Sequence, residues 1–184
     1  MEKFKIFDDN LVLFNSVLED IRNAKQSIWI EIYRFGKDAM GEKFRMALED
    51  KASEGLEVKI LVDAWGTGAD TTFFEPLTKL GAEVRIYRKM RLGKSFLSKN
   101  HCRNHRKLIV IDGETGYIGS TNITAYCLNW RELNLRTTDT ACKTYRGNQA
   151  FYTADNCSRT FYLHTLLKDT ASLDDINGYK SLCF

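Results

Sequence analysis

His105 and Lys107 stand two residues apart at the entry to an apolar, β-branched run, Leu108 to Ile111. Asp112 follows, and then Gly119, Ser120 and Asn122, giving the spacing H-x-K-x4-D-x6-G-S-x-N. Successive side chains of a strand point to opposite faces, so His105 and Lys107 share one face and Arg106 takes the other. A cation beside an imidazole, at the mouth of a buried strand, suits an anionic phosphate. An imidazole titrates at about 6.5 when unperturbed, so His105 can act near neutral pH as nucleophile or as acid. The segment Gly119-Ser120-Thr121-Asn122 can add a hydroxyl, an amide and backbone N–H donors to the same pocket.

These residues need a scaffold, and the flanking pattern supplies one. Leu108 to Ile111 reads as a buried strand, Asp112-Gly113 as a tight turn, and Tyr117-Ile118 as the start of the return strand. Upstream, Phe4 to Phe7 is a short strand, and Asp9 can cap a helix from Asn10 to Lys25 with an apolar stripe of Leu11, Phe14, Val17, Leu18 and Ile21. Strand Ser27 to Tyr33 follows, then a helix capped by Asp38 and stopped at Gly55. After these come a buried strand at Val58 to Val62, a loop at Gly66 to Asp70, a short helix through Phe74, Leu77 and Leu80, and a strand at Val84 to Tyr87. This alternation predicts an α/β layered domain, largely parallel up to Tyr87, to which the motif hairpin adds antiparallel pairing. Leu133 to Arg136 reads as another strand, and a long helix from about Thr140 into Tyr162 closes the domain. The domain spans residues 1–168, and the weakly patterned 169–184 form a tail.

The motif resembles the HKD signature of the phospholipase D superfamily, through His105, Lys107, Asp112, Gly119, Ser120 and Asn122. Asn129-Trp130-Arg131-Glu132 resembles the W-R-D/E that follows the signature in the first half of bacterial cardiolipin synthases. Ile21 to Phe35 and Ala52 to Asp63 resemble that family's opening helix–strand and its A-x-x-G-V-x-V-x-x-L-x-D strand, with Leu56 replacing the first valine. The likeness covers roughly Ile21 to Ala154. It implies a phospholipase D-like layered domain, a mixed β-sheet flanked by helices, carrying a single motif. A histidine at the start of a core strand beside a solvated lysine explains neither Asn122 nor the flanks.

The resemblance also implies a mechanism. One histidine attacks phosphorus, giving a phosphohistidine, while a second protonates the departing alcohol and then activates water or an acceptor alcohol. Lys107 and Asn122 would donate to the non-bridging oxygens, and Glu132 would orient an imidazole through its second nitrogen. Ser120, Gly119 and Arg103 are the candidate substrate contacts, and Asp112 has a structural role holding turn N–H groups. No cofactor or metal is implied. His101, Cys102 and His105 match no zinc spacing. The chain holds one such motif, so the two-histidine mechanism calls for a homodimer with a shared site, or for the second half of a split two-motif enzyme.

At 184 residues, 43% hydrophobic and 28% charged, the chain fits one globular domain with a sizeable core. The five cysteines are odd in number and include no C-x-x-C pair, which argues against a disulfide framework. No stretch approaches the roughly eighteen apolar residues of a spanning helix, and Met1-Glu2-Lys3 opens no signal peptide. The expected location is cytoplasmic, with peripheral membrane contact. Net charge is only +3, yet from Arg85 to Lys107 there are nine cations and no acid. That run leads into the motif and suits a polyanionic substrate, either anionic phospholipid or nucleic acid. Within it, Met90 to Asn100 interleaves Leu92, Phe96 and Leu97 with Arg91, Lys94 and Lys99, a pattern suited to a lipid surface or to stacked bases. Three classes remain: a phosphatidyl-transferring or phospholipid-hydrolysing enzyme, a metal-independent nuclease, and a non-catalytic phosphate-binding scaffold. Fold alone does not choose among them.

Overall fold

The structure is a computed structural model that describes residues 4–67, 71–87 and 103–138. The long helix expected near Thr140 to Tyr162, the lip Met90 to Asn100 and the tail 169–184 lie outside the described residues. Strands β1 (Phe4–Phe7), β2 (Ser27–Ile32), β3 (Glu57–Asp63), β4 (Glu83–Tyr87), β5 (Lys107–Ile111), β6 (Thr115–Gly119) and β7 (Asn134–Thr137) form one sheet in the order β1-β7-β6-β5-β2-β3-β4.

β2, β3 and β4 pair in parallel, as strand–helix alternation requires. Every other pairing is antiparallel, including β1 against β7 at the far edge. The sheet is therefore mixed, with antiparallel pairs in the majority, because β1 crosses to the opposite edge instead of extending the parallel half. The hairpin turn at Asp112-Gly113 has positive φ at both residues, 55° and 68°. That geometry matches the right-handed twist of the flanking strands.

Helix α1 (Asn10–Asn23) starts at Asp9, whose carboxylate accepts from Leu11 N at 2.8 Å and Val12 N at 3.0 Å. Leu13, Phe14, Val17, Leu18 and Ile21 form its buried stripe, whereas Leu11 is 53% exposed. Helix α2 (Ala39–Ser53) is capped by Asp38 in the same way and ends at Gly55, whose φ is +87°. The two helices lie on the sheet face formed by Ile28, Ile30, Ile32, Val58, Ile60, Val62, Ile109 and Ile111. The Gly66 region contains a short helical turn, α3 (Ala64–Thr67), where a loop is expected from sequence. A second short helix, α4 (Glu75–Lys79), precedes β4.

Candidate active site

β5 sits between β2 and β6 with Ile32 opposite Lys107, which places His105 and Lys107 at one end of the sheet. The segment entering β5 is clamped by two buried carboxylates. Asp63, fully buried at the end of β3, accepts from Asn104 N at 2.9 Å and from Arg103 Nε at 3.1 Å. Glu31, 2% exposed on β2, accepts from Asn104 Nδ2 at 2.7 Å and from an Arg106 guanidinium nitrogen at 2.8 Å. Buried carboxylates persist only with such partners. They hold the backbone on both sides of His105, and sequence spacing alone did not single them out.

His105 is exposed, and Lys107 Nζ lies 2.9 Å from its Nδ1, 3.1 Å from its Nε2 and 2.9 Å from its carbonyl oxygen. Burial pushes the Lys107 ammonium down to about 8, while Glu132 and Cys127 oppose the shift. Partial burial and the Lys107 charge also lower the His105 imidazole below its ordinary value, with Asp63 acting in the other direction. The pair thus offers a neutral imidazole beside a retained cation near neutral pH. The Tyr33 ring lies against the imidazole.

The Gly119 to Asn122 loop reaches the same end of the sheet. Asn122 Oδ1 accepts from Arg34 N at 3.1 Å, Ile123 N donates to Arg34 O at 3.2 Å, and Gly36 N donates to Ile123 O at 2.8 Å. These bonds stitch the loop to the segment after β2 and leave the Asn122 amide nitrogen as a donor for an anion. Ser120 is exposed. Gly119 is needed for close approach, since a Cβ there would lie 2.1 Å from Asn134 Oδ1. Beneath the loop, Asn10 Nδ2 donates to Cys127 O at 2.7 Å and Trp130 O at 2.9 Å, while Asn10 Oδ1 accepts from Thr121 Oγ1 at 2.8 Å. Asn134 Nδ2 donates to Thr121 Oγ1 at 2.7 Å and completes a buried network that the motif spacing does not reveal.

Two expected site residues, Arg103 and Glu132, stand differently within the chain from their sequence-based roles. The Arg103 guanidinium is bound to Asp63 and the Tyr87 carbonyl, so it braces the strand ends. Asp112 has the structural role expected of it: it accepts from the Lys25, Gln26 and Ser27 N–H groups at 2.7–2.9 Å and so holds the turn that joins α1 to β2. Glu132 makes no hydrogen bond to His105 within the chain. Its Oε2 is buried without a partner, and its charge bears on Lys107. Beside it, Tyr126, Leu128, Trp130 and Leu133 are exposed apolar side chains, with the Tyr126 and Trp130 rings packed edge to face at 4.8 Å.

Of the basic run, the described arginines are committed to carboxylates: Arg85 to Glu83, Arg103 to Asp63 and Arg106 to Glu31. Among the described residues no cluster of metal-ligating side chains occurs, and no helix is long and apolar enough to cross a membrane.

The model of the family described as "Cardiolipin synthase, PLD-like domain" matches residues 17–149 of this chain. The chain belongs to this family. Cardiolipin synthase 1 of Staphylococcus aureus (strain COL) is 41% identical over 137 residues, which are 71% of this chain and 28% of that protein. This PLD-like domain thus spans less than a third of the length of that relative. Among solved structures, NucT from Helicobacter pylori superposes with a TM-score of 0.63 at 24% identity, over 82% of this chain and 92% of that one. Nuc from Salmonella typhimurium, titled a phospholipase D family member, gives 0.59 at 22% identity over 78% and 89%. These two likenesses establish the phospholipase D fold for the domain.

Proposed function

We propose that this domain supplies one half of a metal-independent phosphodiesterase site that hydrolyses or transfers phosphatidyl groups through a phosphohistidine. The observation that carries the reading is the Lys107 ammonium held against the His105 imidazole, with the Asn122 loop bound to Arg34 at the same end of the sheet. A nitrogen of His105 attacks phosphorus, an N–P bond forms, and the ester P–O bond breaks as a second histidine protonates the departing oxygen. That second histidine then takes a proton from water or an acceptor alcohol, whose oxygen displaces His105 and frees its imidazole. Lys107 and Asn122 stabilise the charge on the non-bridging oxygens. The phosphatidyl substrate is supported by the likeness to cardiolipin synthases.

The second histidine comes from a second copy of the motif, either in a homodimer or in another half-domain. Two features favour a covered interface. Glu132 Oε2 is buried and unpaired, and the apolar rim from Tyr126 to Leu133 stands exposed next to it. In this arrangement Glu132 of one copy orients His105 of the partner subunit. A polar group buried without a partner costs roughly 1–3 kcal/mol, which such a bond removes.

Nucleic-acid cleavage is the second reading, favoured by the charge run Arg85 to Lys107. The carboxylate pairing of Arg85, Arg103 and Arg106 weakens it. The test is a side-by-side assay in millimolar EDTA on anionic phospholipid vesicles and on single- and double-stranded nucleic acids. Turnover of phospholipid alone is expected. Cleavage of nucleic acid alone would transfer the same site to the second reading, and loss of all turnover restored by added zinc or magnesium would overturn the metal-independent mechanism.

A further inference from the structure

The ring of Tyr33, the residue after β2, touches both members of the histidine–lysine pair. Its centroid lies 4.7 Å from that of the His105 imidazole, with the planes at 52°, and 5.4 Å from Lys107 Nζ. α3 holds the tyrosine from behind. A Cβ on Gly66 would lie 2.2 Å from the Tyr33 carbonyl oxygen and 2.9 Å from its Cδ1, so only glycine lets α3 close on this residue. Thr67 Oγ1 donates to that carbonyl at 3.4 Å and accepts from Phe35 N at 2.9 Å. The aromatic wall is therefore built into the fold and backed by main chain.

An aromatic face attracts a cation within about 6 Å of its centroid. We propose that Tyr33 is a positioning residue of this site: its ring holds the imidazole toward Lys107 and stabilises His105 when it carries positive charge. That charge arises when the imidazole is protonated or phosphorylated on one nitrogen. The inference rests on the proposed role of His105, yet its physical content can be measured without substrate. Lys107 and Asp63 act on the same imidazole in opposite directions, and both stay in place in the test.

The experiment uses the full chain with 33 varied. The His105 titration is followed by NMR, its signal assigned among the three histidines by its loss in His105→Gln. Tyr33→Phe keeps the π face, so the imidazole pKa should stay within about 0.2 unit of wild type and kcat within about two-fold. Tyr33→Leu removes it. A partly exposed cation–π contact changes an equilibrium roughly two- to five-fold, so the pKa should fall by about half a unit. kcat should fall about ten-fold while KM changes less than about three-fold, the pattern of lost alignment in the transition state. If Tyr33→Leu folds poorly, phenylalanine carrying one, two or three fluorines at 33 keeps the shape and weakens the quadrupole in steps; a stepwise fall in the His105 pKa is expected. An unchanged pKa across the fluorinated series, or a Tyr33→Phe loss equal to that of Tyr33→Leu, overturns the proposal. Absence of turnover on every phosphodiester, with the pKa steps intact, would sink the enzymatic reading and leave the role of Tyr33 standing.

Discussion

Lys107 Nζ lies 2.9 Å from Nδ1 of His105, two residues before it in the chain, and keeps a cation against the imidazole that we propose attacks phosphorus. The contact joins the proposed nucleophile and its neighbouring cation at one strand end, so a single local disturbance acts on both.

His105→Ala should abolish turnover while leaving the fold intact. The side chain is exposed, so the stability change should stay within about 0.5 kcal/mol. Loss of a nucleophile removes several orders of magnitude in rate. More than about a tenth of wild-type activity, at an unchanged melting temperature, would refute the assignment.

The rate should fall as pH rises through about 8, where burial has brought the Lys107 ammonium. Stability should move in the opposite sense. The folded state releases this proton near pH 8 and the unfolded chain near 10.5, so between those values the unfolded state binds more protons and the Lys107 contribution to stability rises with pH. Lys107→Arg should remove the alkaline limb of the rate profile, since a guanidinium stays charged there. A limb that persists unchanged in Lys107→Arg assigns it to another group.

Mixing tests the shared site. Inactive His105→Ala chains exchanged into wild type should lower activity as the square of the wild-type fraction, because a mixed pair holds one functional histidine. A linear decline, or full activity from a monomer in dilute solution, refutes the site shared between two copies of this chain.

Asn10→Ala should destabilise the domain by about 2–3 kcal/mol, since it strips donors from the Cys127 and Trp130 carbonyls in a buried network. Urea denaturation measures this directly. A loss below about 0.5 kcal/mol would show that water replaces the amide.

The sequence by itself carried the motif, the hairpin and the helix starts. His105 stands two residues ahead of Lys107 at the entry to β5, near enough for the ammonium to reach the imidazole, the Asp112-Gly113 turn follows from residue type, and Asp9 and Asp38 cap helices within three residues of themselves. These are short-range effects that chain-local geometry decides. Tertiary structure alone decided which distant groups meet the motif. Asn104 reaches Glu31 across 73 residues, and Asn10 reaches Cys127 across 117. Tyr33 meets His105 because β2 and β5 are neighbours in a particular register, and Arg103 turns to Asp63 because β3 ends beside it. Strand order and register set those encounters. Both arise from burying one apolar face of the whole sheet, so no window of sequence contains them.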